Sequence, residues 1–272
     1  MATYFVFSDV HGFYNELMQA LNKEGFDINN KNHYIISCGD LLDRGPQANE
    51  CIDFANKMHA EGRAILIKGN HEDLMEQAIC RHYFGDHDYH NKTNDSCYQL
   101  TGLYPDTASE ENILNAMKVN IKWNTYINSC IDYFETDNYI FTHGWIPCFD
   151  KWGATYYNMD WRNASKEDWE QARWLNGFEA WEHGIREDNK IIVCGHWGTD
   201  YGHKYLHNEQ TLYSREDIWL IRDFAPAQFE EISKHSHRIF NDDGIIGLDA
   251  STVISGFVNC KKLGKQKRIN FN

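Results

Sequence analysis

The stretch TYFVFSDVHG, residues 3–12, stays apolar from Tyr4 to Phe7 and then breaks into Asp9, His11 and Gly12. An aromatic and valine-rich run of this length reads as a buried strand. An acid and an imidazole at its carboxyl end are the wrong chemistry for continuing it. The same break recurs further on. HYIISCGD (33–40) is a second strand that ends on GDLLDRG (39–45), and AILIKGN (64–70) is a third that ends on GNHE (69–72). Helical spacing fills the intervals. Tyr14, Leu17, Met18 and Leu21 fall at i, i+3, i+4 and i+7 with Gly25 to close the helix. The stretch PQANECIDFANKMHAEG (46–62) has Pro46 at its first turn and Gly62 past its end. HEDLMEQAICRHYF (71–84) is a third helix, so the order β-α-β-α-β-α predicts an α/β fold.

Beyond residue 84 the alternation lapses. GDHDYHNKTND (85–95) reads as a polar loop, followed by a helical piece near Glu110 to Val119. YFETDNYIFTHG (133–144) reads as a hairpin turning at Asp137-Asn138. From Trp145 to Asn189 the chain is rich in tryptophan and acids and reads as helical, with no strand. KIIVCGH (190–196) restores a strand, and GIIGLDASTVISGFVNCKKL (244–263) reads as a closing pair of strands. One domain over 1–272 is expected, with insertions at about 84–122 and 145–190.

The later strands also end on polar residues, at Thr142-His143-Gly144 and at Gly195-His196. Ligands of open α/β sheets bind outside the carboxyl ends of the strands. Taken singly, each cluster has an ordinary reading: a capping Asp, a surface ion pair, a turn glycine. Repetition of Asp, His or Asn beside Gly at every recognisable strand end points instead to one shared site. Carboxylates, imidazoles and an amide, without thiolates, suit hard or borderline ions such as Mn²⁺, Fe or Zn²⁺. Two ions ~3.5–4 Å apart, sharing a carboxylate, activate water and clamp a phosphoryl group. Arg44 stands where a bidentate phosphate ligand would be needed, and His71 with Asp43 has the composition of a proton donor and its support.

D-x-H, G-D-x-x-D-R-G and G-N-H-E, followed by two separated histidines, resemble the calcineurin-like metallophosphoesterases. Within them the likeness is to the phosphoprotein phosphatase branch, and to the bacterial and bacteriophage lambda-type serine/threonine phosphatases. It extends over GFDINNKNHYIISCGD (25–40) and GLDASTVISGFVN (247–259). The resemblance implies a βαβαβ core with two-layered central sheets, flanking helices and a helical cap. It implies two divalent ions, with Asp9 and His11 on the first, Asp40 shared, and Asn70, His143 and His196 on the second. His71 would be the general acid, oriented by Asp43, and Arg44 would bind phosphate. A second arginine is expected before the last histidine: Arg173, with Arg162 as competitor. The implied activity is hydrolysis of phosphomonoesters, in phosphoserine or phosphothreonine of proteins, by hydroxide delivered directly to phosphorus. Hydrolysis of dinucleoside polyphosphates such as diadenosine tetraphosphate is the alternative, although those relatives more often carry Asp where Glu72 stands. Ser8 replaces the usual Gly before the first Asp, and Trp197-Gly198 replaces the usual Thr-Pro after the last His. A non-catalytic scaffold of the same descent would be expected to have lost ligands, which this chain keeps.

Composition narrows the field. A net charge of −14, from 40 acidic against 26 basic residues, argues against a nucleic-acid partner. The substrate is expected to be a phosphorylated protein or a nucleotide. Eight cysteines without a C-x-x-C pair read as free thiols in a reducing compartment. No run approaches the ~18 apolar residues of a membrane span, and MATYFVFSDVHG lacks a basic leader, so a cytoplasmic protein is expected. His82, His87, His90, Asp86 and Asp88 read as ordinary residues of a polar loop, as do His203 and His207. Trp152, Trp161, Trp169, Trp174 and Trp181 are expected to bury the cap, Lys261–Arg268 to be a solvated tail, and Asp249 to support a metal-binding histidine.

Overall fold

The structure, a computed structural model, describes residues 2–86, 88–151, 154–212 and 226–266. Strands β1 (Ala2–Phe7), β2 (His33–Cys38) and β3 (Ala64–Ile67) run parallel, joined by α1 (Tyr14–Lys23) and α2 (Ala48–Ala60). The five-stranded sheet has the order β12-β1-β2-β3-β4, with β4 at Cys130–Ile131 and β12 at Cys260–Gln266. A second sheet has the order β10-β11-β9-β6-β5, with β5 Phe134–Glu135, β6 Tyr139–Phe141, β9 Ile191–Cys194, β10 Phe240–Asp242 and β11 Ile245–Gly247. The βαβ start is as the sequence predicts, and so is the β5–β6 hairpin.

Alternation along β1 explains the layering. Tyr4 and Val6 face the second sheet and pack with Ile36, Ile67, Phe141, Val193 and Ile246. Phe5 and Phe7 face the other way, onto Leu17, Leu21, Ile52 and Phe54 of α1 and α2. The outer face of the second sheet, including Ile140 and Ile192, is covered by Trp145, Trp161, Trp169 and Phe178. The result is helix, sheet, sheet, helix, with three apolar interfaces. The strands β1, β2, β3, β9 and β11 are buried on both faces over most of their length, which is why the sequence shows continuous apolar runs there rather than alternation.

Five expectations are corrected. Residues 145–190 are not strand-free: Cys148–Lys151 and Ala154–Tyr157 form an antiparallel hairpin, since Thr155, Tyr156 and Tyr157 favour strand. The polar loop after Gly85 contains a helical turn, Asp88–Asn91, and the helix α5, Thr93–Thr101. The buried side of α5 is Thr93, Ser96, Cys97 and Leu100, too polar to register as an apolar stripe. β11 and β12 do not pair with each other, because β12 crosses to the first sheet and runs antiparallel to β1. Lys261 to Gln266 therefore belongs to an edge strand rather than a solvated tail; residues 267 and 268 lie outside the described residues. Trp161 and Trp169 are buried as expected, whereas Trp174 is half-exposed and Trp152 lies outside the described residues. No described helix is long and apolar enough to cross a membrane.

Candidate metal centre

β1, β2 and β3 of one sheet and β6 and β9 of the other deliver their polar ends to a single cleft. Its volume is about 590 Å³, and His11, Asp40, Arg44, Asn70, His71 and His196 are among its lining residues. The turns that do this are tight. Asp9, His11, Asp40 and His196 all adopt positive φ, between 50° and 66°, a region that costs a non-glycine residue of order 1–3 kcal/mol. Neighbouring glycines make the crowding tolerable. A Cβ on Gly69 would lie 2.2 Å from Asp40 Oδ1, and one on Gly195 would lie 2.0 Å from Ser8 Oγ. Ser8 is thus accommodated because residue 195 is glycine, and its hydroxyl donates to Cys38 O at 2.9 Å.

Asp40 stands between two groups. Its Oδ1 is 3.3 Å from His143 Nε2, and its Oδ2 is 3.7 Å from His11 Nε2. On one side, His11 donates from Nδ1 to Leu42 O at 3.1 Å, which leaves Nε2 as a lone pair 4.0 Å from Asp9 Oδ1. On the other, His143 donates from Nδ1 to Cys38 O at 2.7 Å, and its Nε2 faces Asn70 Oδ1 at 2.8 Å. His196 joins this second group; its backbone N–H donates to Asp9 Oδ2 at 3.0 Å. Fixing one ring nitrogen on a carbonyl and presenting the other is how metal-binding histidines are oriented.

The donor set fits divalent cations. His143 Nε2, Asn70 Oδ1 and Asp40 Oδ1 point at one another, so a positive centre has to lie among them. Burial acts to lower His143, yet the Asp40 carboxylate overrides it and raises the imidazole to about 10. Burial and then the Asp249 carboxylate push Asp9 well above its usual range, while burial lifts Asp249 itself to about 6. His196 is driven down to about 3 by burial and by His143. Buried carboxylates that repel each other, Asp9 and Asp249, beside imidazoles whose charged form is disfavoured, His11 and His196, make a cavity that stabilises added positive charge.

His71 sits against this centre. Its Nδ1 is 2.7 Å from Asp43 Oδ2, and its backbone N–H donates to Asp40 Oδ1 at 3.0 Å. Arg44 donates to His11 Nε2 at 2.6 Å and to His71 Nε2 at 2.9 Å, spanning the two rings at the cleft floor. Asp43 is itself held by Thr93 Oγ1, which donates to Oδ2 at 2.7 Å, and by its own N–H, which donates to Ser96 Oγ at 2.7 Å. Thr93 and Ser96 went unnoticed in the sequence because they follow about fifty residues later, in what reads as a loop.

The structure does not bring Arg173 to the cleft. Its guanidinium is buried, with Nε 2.6 Å from Asp73 Oδ2 and Nη1 2.8 Å from Asp132 Oδ1. Arg162 is likewise engaged elsewhere, with Nε 2.8 Å from Glu135 and Nη2 2.9 Å from Glu187. Both were attractive as arginines ahead of the last histidine, but nearby carboxylates claim them. Among the described residues that line the cleft, Lys92 is a second cation besides Arg44, accompanied by Tyr89, His90 and Trp174. Asp249 also lines it, accepting from Ser251 N at 2.6 Å. Glu72 has no place in the cleft wall. Its carboxylate is buried and accepts from Asp40 N, Leu41 N, Gly69 N and Tyr126 Oη, at 3.0, 3.1, 2.7 and 3.0 Å. It clamps the β2 and β3 turns together.

Comparison with known proteins identifies a family. The family model of the calcineurin-like phosphoesterases matches residues 2–229. A symmetrical bis(5'-nucleosyl)-tetraphosphatase of Proteus mirabilis is 42% identical over 73 residues, covering 26% of this chain and 24% of its own. An asymmetrical bis(5'-nucleosyl)-tetraphosphatase of Bacillus velezensis is 31% identical over 74 residues, covering 25% of this chain and 30% of its own. The chain thus matches less than a third of the length of these relatives. Among solved structures, the cold-active protein-tyrosine phosphatase of a Shewanella species superposes with a TM-score of 0.52 over 97% of this chain and 75% of that one, at 14% identity. That level of identity speaks to fold alone.

Proposed function

The chain belongs to the calcineurin-like phosphoesterase family, and from that premise we propose that it is a two-cation phosphoric ester or anhydride hydrolase whose substrate is a dinucleoside polyphosphate. Asp9, His11 and Asp40 would hold one ion, and Asp40, Asn70, His143 and His196 the other, with Mn²⁺, Fe or Zn²⁺ suited to the donors. Bound there, such ions polarise phosphoryl oxygens and acidify water. The chain's own residues do the rest. Arg44 leaves its ring contacts to grip two phosphoryl oxygens in a bidentate bond. His71, whose Nδ1 is anchored on Asp43, gives a proton from Nε2 to the departing oxygen, and the Asp43 carboxylate stabilises the imidazolium that precedes the transfer.

The cleft wall carries the choice of substrate. Trp174 is half-exposed at one side, and its ring lies 5.6 Å from that of His196. On the insertion, Tyr89 and His90 have ring centroids 3.8 Å apart, with Lys92 beside them. Exposed aromatic rings in a cleft that also carries Arg44 and Lys92 suit bases joined by a phosphate chain, at about 1–3 kcal/mol per stacked base. The tetraphosphatase names of the aligned relatives support the same class. Phosphoserine or phosphothreonine in proteins, favoured by resemblance, is the second reading. Glu72 does not weigh for it, since that side chain braces turns and is remote from bound substrate. The test is kcat/KM for diadenosine tetraphosphate, a phosphoserine peptide and p-nitrophenyl phosphate, with Trp174→Ala in parallel. The proposal expects preference for the dinucleotide and a higher KM for it alone in the variant. Preference for the phosphopeptide, indifferent to Trp174, would reverse the assignment.

A further inference from the structure

A separate group of metal-binding side chains gathers on the segment that follows His196. His203 lies in a π-helical turn, Gly202–Leu206, and His207 is the next residue, its N–H reaching back to Gly202 O at 3.3 Å. Such turns insert one extra residue and recur at functional sites. Here the turn sets His203 and His207 on one side, with ring centroids 5.9 Å apart. Neither lines the cleft described above.

The hydrogen bonds of the two rings decide where their lone pairs point. His203 Nε2 is 3.1 Å from Arg238 O, and a carbonyl only accepts, so Nε2 carries the proton. His207 Nε2 is 2.8 Å from Asp242 Oδ2, again an acceptor. The neutral rings therefore present Nδ1, and both Nδ1 atoms face the same oxygen: Glu209 Oε1, at 3.3 Å from His203 and 3.6 Å from His207. Three lone-pair atoms converge, and each imidazole is braced behind by a carbonyl or a carboxylate. That is the arrangement of a ligated histidine pair. The alternative is two imidazolium rings on Glu209. Burial and then the Arg238 charge push His203 below its usual value, and Arg238 already meets the two Glu209 oxygens at 2.9 and 2.7 Å.

We infer that His203, His207 and Glu209 form a third cation site, suited to Zn²⁺, that ties the π-helical turn to Asp242 and Arg238. Two imidazole nitrogens and one carboxylate oxygen are a borderline donor set, and zinc accepts them tetrahedrally. The fourth position falls to water or to His235, whose Nε2 lies 3.8 Å from Glu209 Oε2. An entry path exists: Glu209 and His235 both line an open cavity of about 870 Å³. Arg238 takes one lone pair on each Glu209 oxygen, which leaves another on Oε1 for the ion, so the ion and the guanidinium share the side chain without exclusion.

Zinc content after equilibration with Zn²⁺ and removal of loose metal tests the site, comparing the full chain with His207→Gln and Glu209→Gln. Both positions are partly exposed, so both variants should fold. The wild type is expected to retain one zinc equivalent more than either variant and to gain more in melting temperature on adding zinc. Equal zinc in all three proteins overturns the site. On the unmodified chain, ring-nitrogen NMR during zinc titration should move two Nδ1 resonances while Nε2 stays protonated. Titration that leaves every ring outside the cleft unmoved overturns it as well, whatever the variants do.

Discussion

Replacing Arg173 with methionine separates a structural arginine from a substrate-binding one. The guanidinium is buried between Asp73 and Asp132, and Lys68 Nζ also contacts Asp73 at 2.6 Å. Removing one partner of a buried ion pair costs about 3–5 kcal/mol, because it strands the other charge. Asp73 keeps Lys68, and Asp132 is half-exposed and can rehydrate, so the low end applies, about 3 kcal/mol. For a domain of this size each kcal/mol moves the midpoint by about 2 °C, giving a fall of roughly 6 °C. Methionine retains most of the apolar stem, so the loss reports charge rather than a void. Thermal melts and steady-state kinetics on p-nitrophenyl phosphate should therefore show a lower midpoint with KM little changed. An unmoved midpoint together with a KM raised about tenfold or more would refute the reasoning and return Arg173 to the phosphate.

Three further outcomes follow from the geometry. Asp43→Asn removes the charge that holds His71 Nδ1, and should lower kcat by about 10²-fold or more on a substrate with a poor leaving group, less on p-nitrophenyl phosphate; equal losses on both would deny His71 a proton-donating role. Gly69→Ala forces a methyl to within 2.2 Å of Asp40 Oδ1 and 2.5 Å of its backbone nitrogen, so turnover should fall by roughly 10²-fold from misplacement of the central carboxylate; a fully active variant would contradict the crowding. Burial raises Asp200 from 3.8 to about 6, so the folded chain holds that proton more tightly than the unfolded one and stability falls as pH climbs from about 4 through 6. Asp200→Asn should flatten this decline by up to roughly 3 kcal/mol in urea titrations, and an unchanged pH profile would show that the carboxyl is hydrated.

Much of the site was legible because its ligands come in pairs at strand ends. Asp9 with His11, Asp40 with Asp43 and Arg44, and Asn70 with His71 each interrupt an apolar run within a few residues, and the sheets carry them to one cleft. Thr93 and Ser96 escaped notice because helix α5 turns a polar face inward, towards Asp43, where the usual apolar stripe would be. Arg173 was misplaced for a related reason: spacing along the chain reports proximity to His196, but Asp73, a hundred residues earlier, decides where the guanidinium goes. The residue pattern showed the second sheet only as separate strands, and it was the family resemblance that implied a second layer. Its existence depends on Phe141, Val193 and Ile246 meeting Tyr4 and Val6 across sequence distances that periodicity does not report.

The most direct measurement is hydrolysis of p-nitrophenyl phosphate by chelator-treated protein before and after Mn²⁺ is restored, with Asp40→Asn alongside. Asp40 faces His11 on one side and His143 on the other, so its loss should remove both metal retention and turnover. Activity that is absent without metal, returns with Mn²⁺ and vanishes in Asp40→Asn is the predicted result. Turnover that survives chelation, or an Asp40→Asn variant as active as the parent, would contradict a two-cation centre.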